Sequence, residues 1–263
     1  MHKTIDFPNL GIHLKNVGNH ISIGGFDIAF YGIIIGLGIL AGILIAAAEA
    51  KRTKQNSETY FDLTLYAVVF AIIGARAYYV VFSWNMYKND LKSILNIREG
   101  GLAIYGGVIA AVITVVVFAK VKKLSAAVLF DTASLGLVAG QMIGRWGNFV
   151  NQEAFGGVVS ESFFNHFPAF IKEGMFIDGA YRMPTYLFEG VGNLIGFILI
   201  YFGFKKYGRK KRGDMAYAYI VWYGVVRFFV EGLRTDSLMM GPIRVAQLIS
   251  ICGIILGVLG LLG

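Results

Sequence analysis

The chain has 263 residues, 56% of them hydrophobic and only 15% charged, with a formal net charge of +8. Soluble domains carry about 25% charged residues, so this composition and a mean hydropathy of +0.64 exclude an ordinary soluble domain and indicate an integral membrane protein. Much of the positive charge lies in short clusters beside apolar runs, as topology signals do; no basic, aromatic-studded soluble surface is present, which excludes nucleic-acid binding.

Residues 1–22 are mixed and polar, without a basic leader into a short apolar core. No cleavable signal peptide is expected there, and the first long apolar run is expected to remain as a span. Seven runs are long enough to cross a bilayer: 26–48, 60–83, 101–119, 125–146, 184–204, 214–233 and 243–262. They predict an all-α polytopic bundle, one integral membrane domain over 1–263, with an extracytoplasmic cap at 147–183. Pro184 and Pro242 stand near the starts of two runs, where a missing N–H costs little. Three basic clusters, KRTK (51–54), KVKK (120–123) and KKYGRKKR (205–212), fall in alternate loops. The positive-inside rule therefore puts them in the cytoplasm, the N-terminus outside and the C-terminus inside. Glycines at four-residue spacing (Gly38–Gly42; Gly136, Gly140, Gly144) predict closely approaching helices. No convincing internal repeat is visible, which argues against an inverted-repeat transporter. The single cysteine, Cys252, excludes an intramolecular disulfide and reads as a small buried residue of the last span.

Charges inside spans are costly and mark candidate sites. YGVVRFFVEGLR (223–234) sets Tyr223, Arg227, Glu231 and Arg234 on one helical face. Two arginines with one glutamate leave positive charge over, suited to an anionic lipid headgroup. The end of the fourth run carries GRWGNFVNQEAFGG (144–157), which offers Arg145, Asn148, Asn151 and Glu153 between glycines. A helix-end arginine can simply reach for the interface, but that does not account for two amides and a carboxylate. Tyr31, Arg76, Glu99, Tyr105 and Glu189 fall toward the same predicted level. Tyr31 and Tyr105 also suit plain interface anchors.

Several chemistries lack their parts. The histidines (His2, His13, His20, His166) lie outside the spans, so neither a metal cluster nor an intramembrane Ser–His pair is expected. No phosphate-binding loop with its lysine is present. Arginines, amides, tyrosines and glutamates remain, a set that holds a phosphate and stabilises charge on a leaving phosphate.

GRWGNFVNQEAFG fills every fixed position of G-R-x-G-N-F-x-N-x-E-x-x-G, and so resembles the signature of the prolipoprotein diacylglyceryl transferase family. FYG, GAR, GGLAIYGG, MPTYLFE and YGVVRFFVEGLR follow in the family's order, so the resemblance covers essentially the whole chain. It implies transfer of the diacylglyceryl group of phosphatidylglycerol to the lipobox cysteine of a preprolipoprotein signal peptide. A thioether forms and glycerol 1-phosphate leaves, with no cofactor, metal or nucleotide. The resemblance implies lipid binding by Arg145, Asn148, Asn151, Arg234, Tyr31 and Arg76. It implies catalytic roles for Arg227, Glu231, Glu153, Tyr223 and Tyr105, in a monomer of the bacterial cytoplasmic membrane whose site faces outward. One departure matters: relatives often have histidine where Tyr105 stands, and a tyrosine with a pKa near ~10 is a poor base at neutral pH. Glu153, Glu231 or the field of the arginines are then the alternatives for activating the thiol. Met183 and Phe188 also stand where histidine and tyrosine are common. An anionic-lipid transporter or flippase, or a lipid-binding protein without chemistry, are the competing readings.

Overall fold

A computed structural model describes residues 3–7, 12–17, 20–23, 26–97, 100–208 and 210–263. Glu99 and His2, considered above, lie outside these. Contacts fall into two units, Met1–Gly42 with Ser134–Gly263, and Ile43–Ala133.

The first unit begins with two β-hairpins; the second takes Phe26–Ala29 as a strand, where the first span had been expected to begin, so the helix starts at Phe30. β1 (Lys3–Phe7) pairs with β2 (Ile12–Val17), and β3 (His20–Ile23) with β4 (Phe26–Ala29). The chain then enters α1 (Phe30–Arg52). Helix α5 (Ala126–Asn151) approaches α1 within this unit. A Cβ built at Gly42 would sit 2.7 Å from the Gly136 carbonyl oxygen, and one at Gly38 3.0 Å from that of Gly140. The four-residue glycine spacing therefore serves the close approach predicted from it. A cap follows α5. Its elements are α6 (Ala169–Gly174) and a ribbon of β5 (Phe176–Ile177) and β6 (Ala180–Tyr181), over a small core of Phe164, Ile171, Met175, Ile177 and Tyr186.

Helix α7 (Thr185–Tyr207) starts after Pro184 and stops at Gly208, whose φ of 74° suits glycine and ends the helix. Asp214 opens α8 (Asp214–Leu233) and turns its carboxylate back onto the Lys210 and Lys211 amides, 2.9 and 2.8 Å away. A ribbon of β7 (Met239–Met240) and β8 (Ile243–Arg244) leads to α9 (Val245–Leu262). Cys252 lies on the exposed side of α9, not in the buried position expected, because the adjacent Ser250 and Gly257 supply that helix's buried face.

The second unit holds α2 (Glu58–Phe82), the single turn α3 (Trp84–Tyr87) and α4 (Ile104–Val121). Its core is Ala46, Ala50, Tyr60, Leu63, Val115, Phe118, Ala119 and Leu129. Among the described residues six helices are long and apolar enough to cross a membrane: α1, α2, α4, α5, α7 and α9. The seventh expected span is a helix over the expected 214–233, but it is not among those six. It carries Asp214, Arg227 and Glu231. The bundle is helical as predicted, with short two-stranded ribbons added in its connections.

Candidate active site

The fourth expected span continues farther than its apolarity shows. α5 runs to Asn151, so Arg145, Asn148 and Asn151 occupy its last two turns, and the cap begins after 151, not at 147. The chain then reverses through Gln152 (φ 53°) and Ala154 (φ 56°), both left-handed without being glycine. The turn is fixed from several sides. Glu153 N–H donates to the Asn148 carbonyl at 3.0 Å, and the Gln152 amide to the Gly174 carbonyl at 2.8 Å. Thr185 Oγ1 donates to the Ala154 carbonyl. Gly156 then pairs with Arg234 and donates its N–H to the Met183 carbonyl at 2.9 Å. A Cβ there would lie 2.9 Å from both the Leu233 oxygen and Met183 Cβ. The last glycine of the motif is thus where the ends of α5, α7 and α8 are laced together.

Those three ends bring four charges into one chain. Arg145 Nη2 lies 2.6 Å from Glu189 Oε1, and Arg227 Nη1 lies 3.0 Å from Glu189 Oε2. Arg227 Nη2 lies 2.6 Å from Glu231 Oε2 on the next turn of α8. The order Arg145–Glu189–Arg227–Glu231 alternates in sign and sums to zero. The surplus positive charge expected from span six is therefore absent. Glu189, from α7, supplies the missing carboxylate, and Arg234 is clasped separately by Asp236 at 2.9 and 2.7 Å. The Arg234 hydrogen bond holds the Asp236 carboxyl below the usual carboxylate range.

Exposure orders this chain of charges. The side chains of Arg145 and Arg227 are 21% and 17% exposed, whereas that of Glu189 is 2% exposed. An anion arriving from outside meets the guanidinium groups first. Arg145 Nη1 also donates to Asn148 Oδ1 at 3.3 Å, and Asn148 Nδ2 to Glu153 Oε1 at 2.9 Å. Tyr31 lies in the field of Glu153 and Arg145, its ring filling the space beside Gly147. Tyr223 lies beside Glu189, in the field of both arginines. Arg244 donates to the Glu231 carbonyl and steadies the end of α8. Asn151 is exposed at the last residue of α5.

Two expected site residues fall in the other unit. Arg76 is buried and spends its guanidinium on backbone: Nε on Ile94 O, Nη1 on Gly100 and Gly101 O, and Nη2 on Ser93 and Asn96 O, at 2.7–3.0 Å. It is a loop-holding residue in this arrangement. Tyr105 is half-buried in the first turn of α4. Glu189, conversely, was visible in the sequence as an embedded acid but was not named as a site residue. Its spacing to Arg145 and Arg227 exists only across helices.

Comparison with known proteins shows the family. A family model described as prolipoprotein diacylglyceryl transferase matches residues 19–262. A Bacillus cytotoxicus protein named phosphatidylglycerol–prolipoprotein diacylglyceryl transferase is 47% identical over 241 residues, 91% of this chain and 88% of that protein. Proteins of the same name from Bacillus mycoides (47%) and a Bacillus cereus strain (48%) match over the same shares, 91% and 88%. This multi-pass membrane protein, with its polar charges gathered on α5, α7 and α8, belongs to the prolipoprotein diacylglyceryl transferase family.

Proposed function

We propose that the protein transfers the diacylglyceryl group of phosphatidylglycerol to the lipobox cysteine of a preprolipoprotein. The observation that carries this reading is the neutral chain Arg145–Glu189–Arg227–Glu231, with the arginines outermost. A lipid phosphate competes with Glu189 for the two guanidinium groups, and bidentate phosphate contacts are among the strongest charge-assisted hydrogen bonds. The substrate sulfur attacks the lipid glycerol carbon that bears the phosphate ester. The carbon–oxygen bond breaks, a thioether forms, and glycerol 1-phosphate leaves with its new charge held by Arg145 and Arg227. The thiol proton has an acceptor in Glu189. Once phosphate has taken its arginines, this buried carboxylate lacks compensation, and taking a proton relieves it. Lipid binding thereby arms the base, which lessens the need for a histidine at position 105. Tyr223 beside Glu189 orients it, and Asn148 with Glu153 holds Arg145 in place.

The finer topology joins this reading. Seven spans, with α8 among them, put all three basic clusters in the cytoplasm and the α5, α7 and α8 ends that carry the site outside. The chain is then a monomer of the bacterial cytoplasmic membrane, acting on its outer face. The test is mass spectrometry of a lipobox-cysteine peptide incubated with purified protein and phosphatidylglycerol. Wild type should add a diacylglyceryl mass and release glycerol phosphate, and Arg145→Ala should do neither. Folded wild type that leaves the peptide unmodified would sink the transferase and favour a lipid-binding or transport role.

A further inference from the structure

One helical turn inward from the charged chain lies a second polar group set that the reaction above does not use. Gln141, Asn193 and Tyr219 each stand four residues from a site residue: Arg145 on α5, Glu189 on α7 and Tyr223 on α8. α5 and α8 run toward the cap and α7 away from it, so all three displacements go the same way, deeper into the bundle. Asn193 is completely buried. Its direction follows from its neighbours on α7. A Cβ at Gly190 would be 3.9 Å from Arg145 Cβ, and Cβ atoms at Gly192 and Gly196 would strike Val226 and Trp222. Asn193, between these positions, faces the wedge where α5 and α8 meet α7. Neither its Nδ2 nor its Oδ1 has a hydrogen-bond partner, although both are buried. Gln141 donates from Nε2 to Tyr219 Oη at 2.9 Å, and its Oε1 is likewise buried and unpaired.

Buried amides almost always find partners, and with bulk water excluded from a bilayer core these must come from a bound ligand, a trapped water or both. Three orphaned amide atoms in one wedge therefore mark a place for a ligand. The group set is uncharged, so its ligand is neutral and polar, and its one open N–H donor, Asn193 Nδ2, calls for an acceptor. We propose that this layer is the subsite for the acyl-ester linkage of the lipid, with Asn193 donating to an ester carbonyl and water meeting the two amide oxygens. The proposal rests on the function proposed above. With the phosphate on Arg145 and Arg227 and the acyl chains directed into the membrane, the nearer ester lies a few bonds deeper. That is the reach of one helical turn, about 5.4 Å. The layer would thus check that the group being transferred is a diacylglyceryl ester.

The experiment compares phosphatidylglycerol with its dialkyl-ether analogue, which keeps headgroup, charge and chain length and lacks only the ester carbonyls. Lipobox-peptide modification is followed with wild type, Asn193→Ala and Asn193→Ser. The ester survives the reaction unchanged, so its recognition belongs in KM and not kcat. Wild type is expected to use the diester with a KM about tenfold lower than the diether, the size of one neutral hydrogen bond. Asn193→Ala should lose that preference, its KM for the diester rising to meet its KM for the diether. Asn193→Ser, which keeps a short donor, should retain part of it and covers the case in which the alanine variant does not fold. Equal use of both lipids by wild type, or an equal loss on both in the variants, overturns the subsite and leaves only a buried water site. Wild type that transfers from neither lipid overturns the transferase reading instead.

Discussion

Arg76 and Arg145 stand in apolar helices; Arg145 was expected to bind lipid, and Arg76 to fix either loops or lipid. Their surroundings differ completely. Arg76 donates to five backbone carbonyls, those of residues 93, 94, 96, 100 and 101. Arg145, like Arg227, is held by a carboxylate that an incoming anion can replace. An arginine bonded to main chain is structural, because displacing it breaks several charge-assisted hydrogen bonds at once. An arginine bonded to a carboxylate is exchangeable, because one anion substitutes for another at nearly constant charge.

Replacing the exchangeable arginines should give the largest losses of activity. Arg227→Ala is expected to lower kcat by about 100- to 1000-fold, the usual cost of removing one preorganised donor to a developing charge. Steady-state kinetics on the lipobox peptide would check this, and a variant that changes only KM would contradict the assignment. Glu189→Gln separates the two roles given to that residue. Removing the competing carboxylate should lower KM for phosphatidylglycerol, while removing the proton acceptor lowers kcat by about 100-fold. A merely structural Glu189 would not move the two constants in opposite directions.

Arg76→Ala should behave in the contrasting way. It removes five hydrogen bonds from a buried guanidinium to main-chain carbonyls, and bonds to a charged group are worth about 1.5–3 kcal/mol each, so the thermal unfolding midpoint in detergent should fall. Lipid KM of the protein that remains folded should be unchanged. A raised KM with full stability would return Arg76 to the lipid.

Smaller effects belong to the supports of the site. Asp236 titrates below the usual carboxylate range in the folded protein because of Arg234. Its contribution to stability is therefore fully present above the unfolded carboxylate pKa and is lost as pH falls through the lowered folded value. Asp236→Asn should lower the melting midpoint near neutral pH, where the ion pair is intact, and remove its fall in acid, so that variant and wild type converge at low pH. Ala154→Gly should raise stability by up to about 1 kcal/mol, because glycine accepts the left-handed conformation found there. An unchanged or lowered melting point would mean the turn carries no such strain.

The apolar runs, the basic clusters and the 144–157 motif were legible because composition, length and local spacing fix them without reference to other segments. A bilayer imposes the run length, and the helical period puts Arg227 and Glu231 on one face in any fold that keeps α8. The glycine spacing in α5 likewise announced its close neighbour. Tertiary structure decided the rest. Glu189 joins Arg145 and Arg227 only because α7 packs beside both α5 and α8, so its partners lie 44 and 38 positions away along the chain. Arg76 has the sequence signature of a site residue and is bound to its own unit's backbone. The charge balance of the site, read from α8 alone as positive, is neutral once the third helix adds its carboxylate. Which charges occur is a property of the sequence. Which of them face each other, and so which an anion can claim, depends on packing between helices that no local pattern encodes.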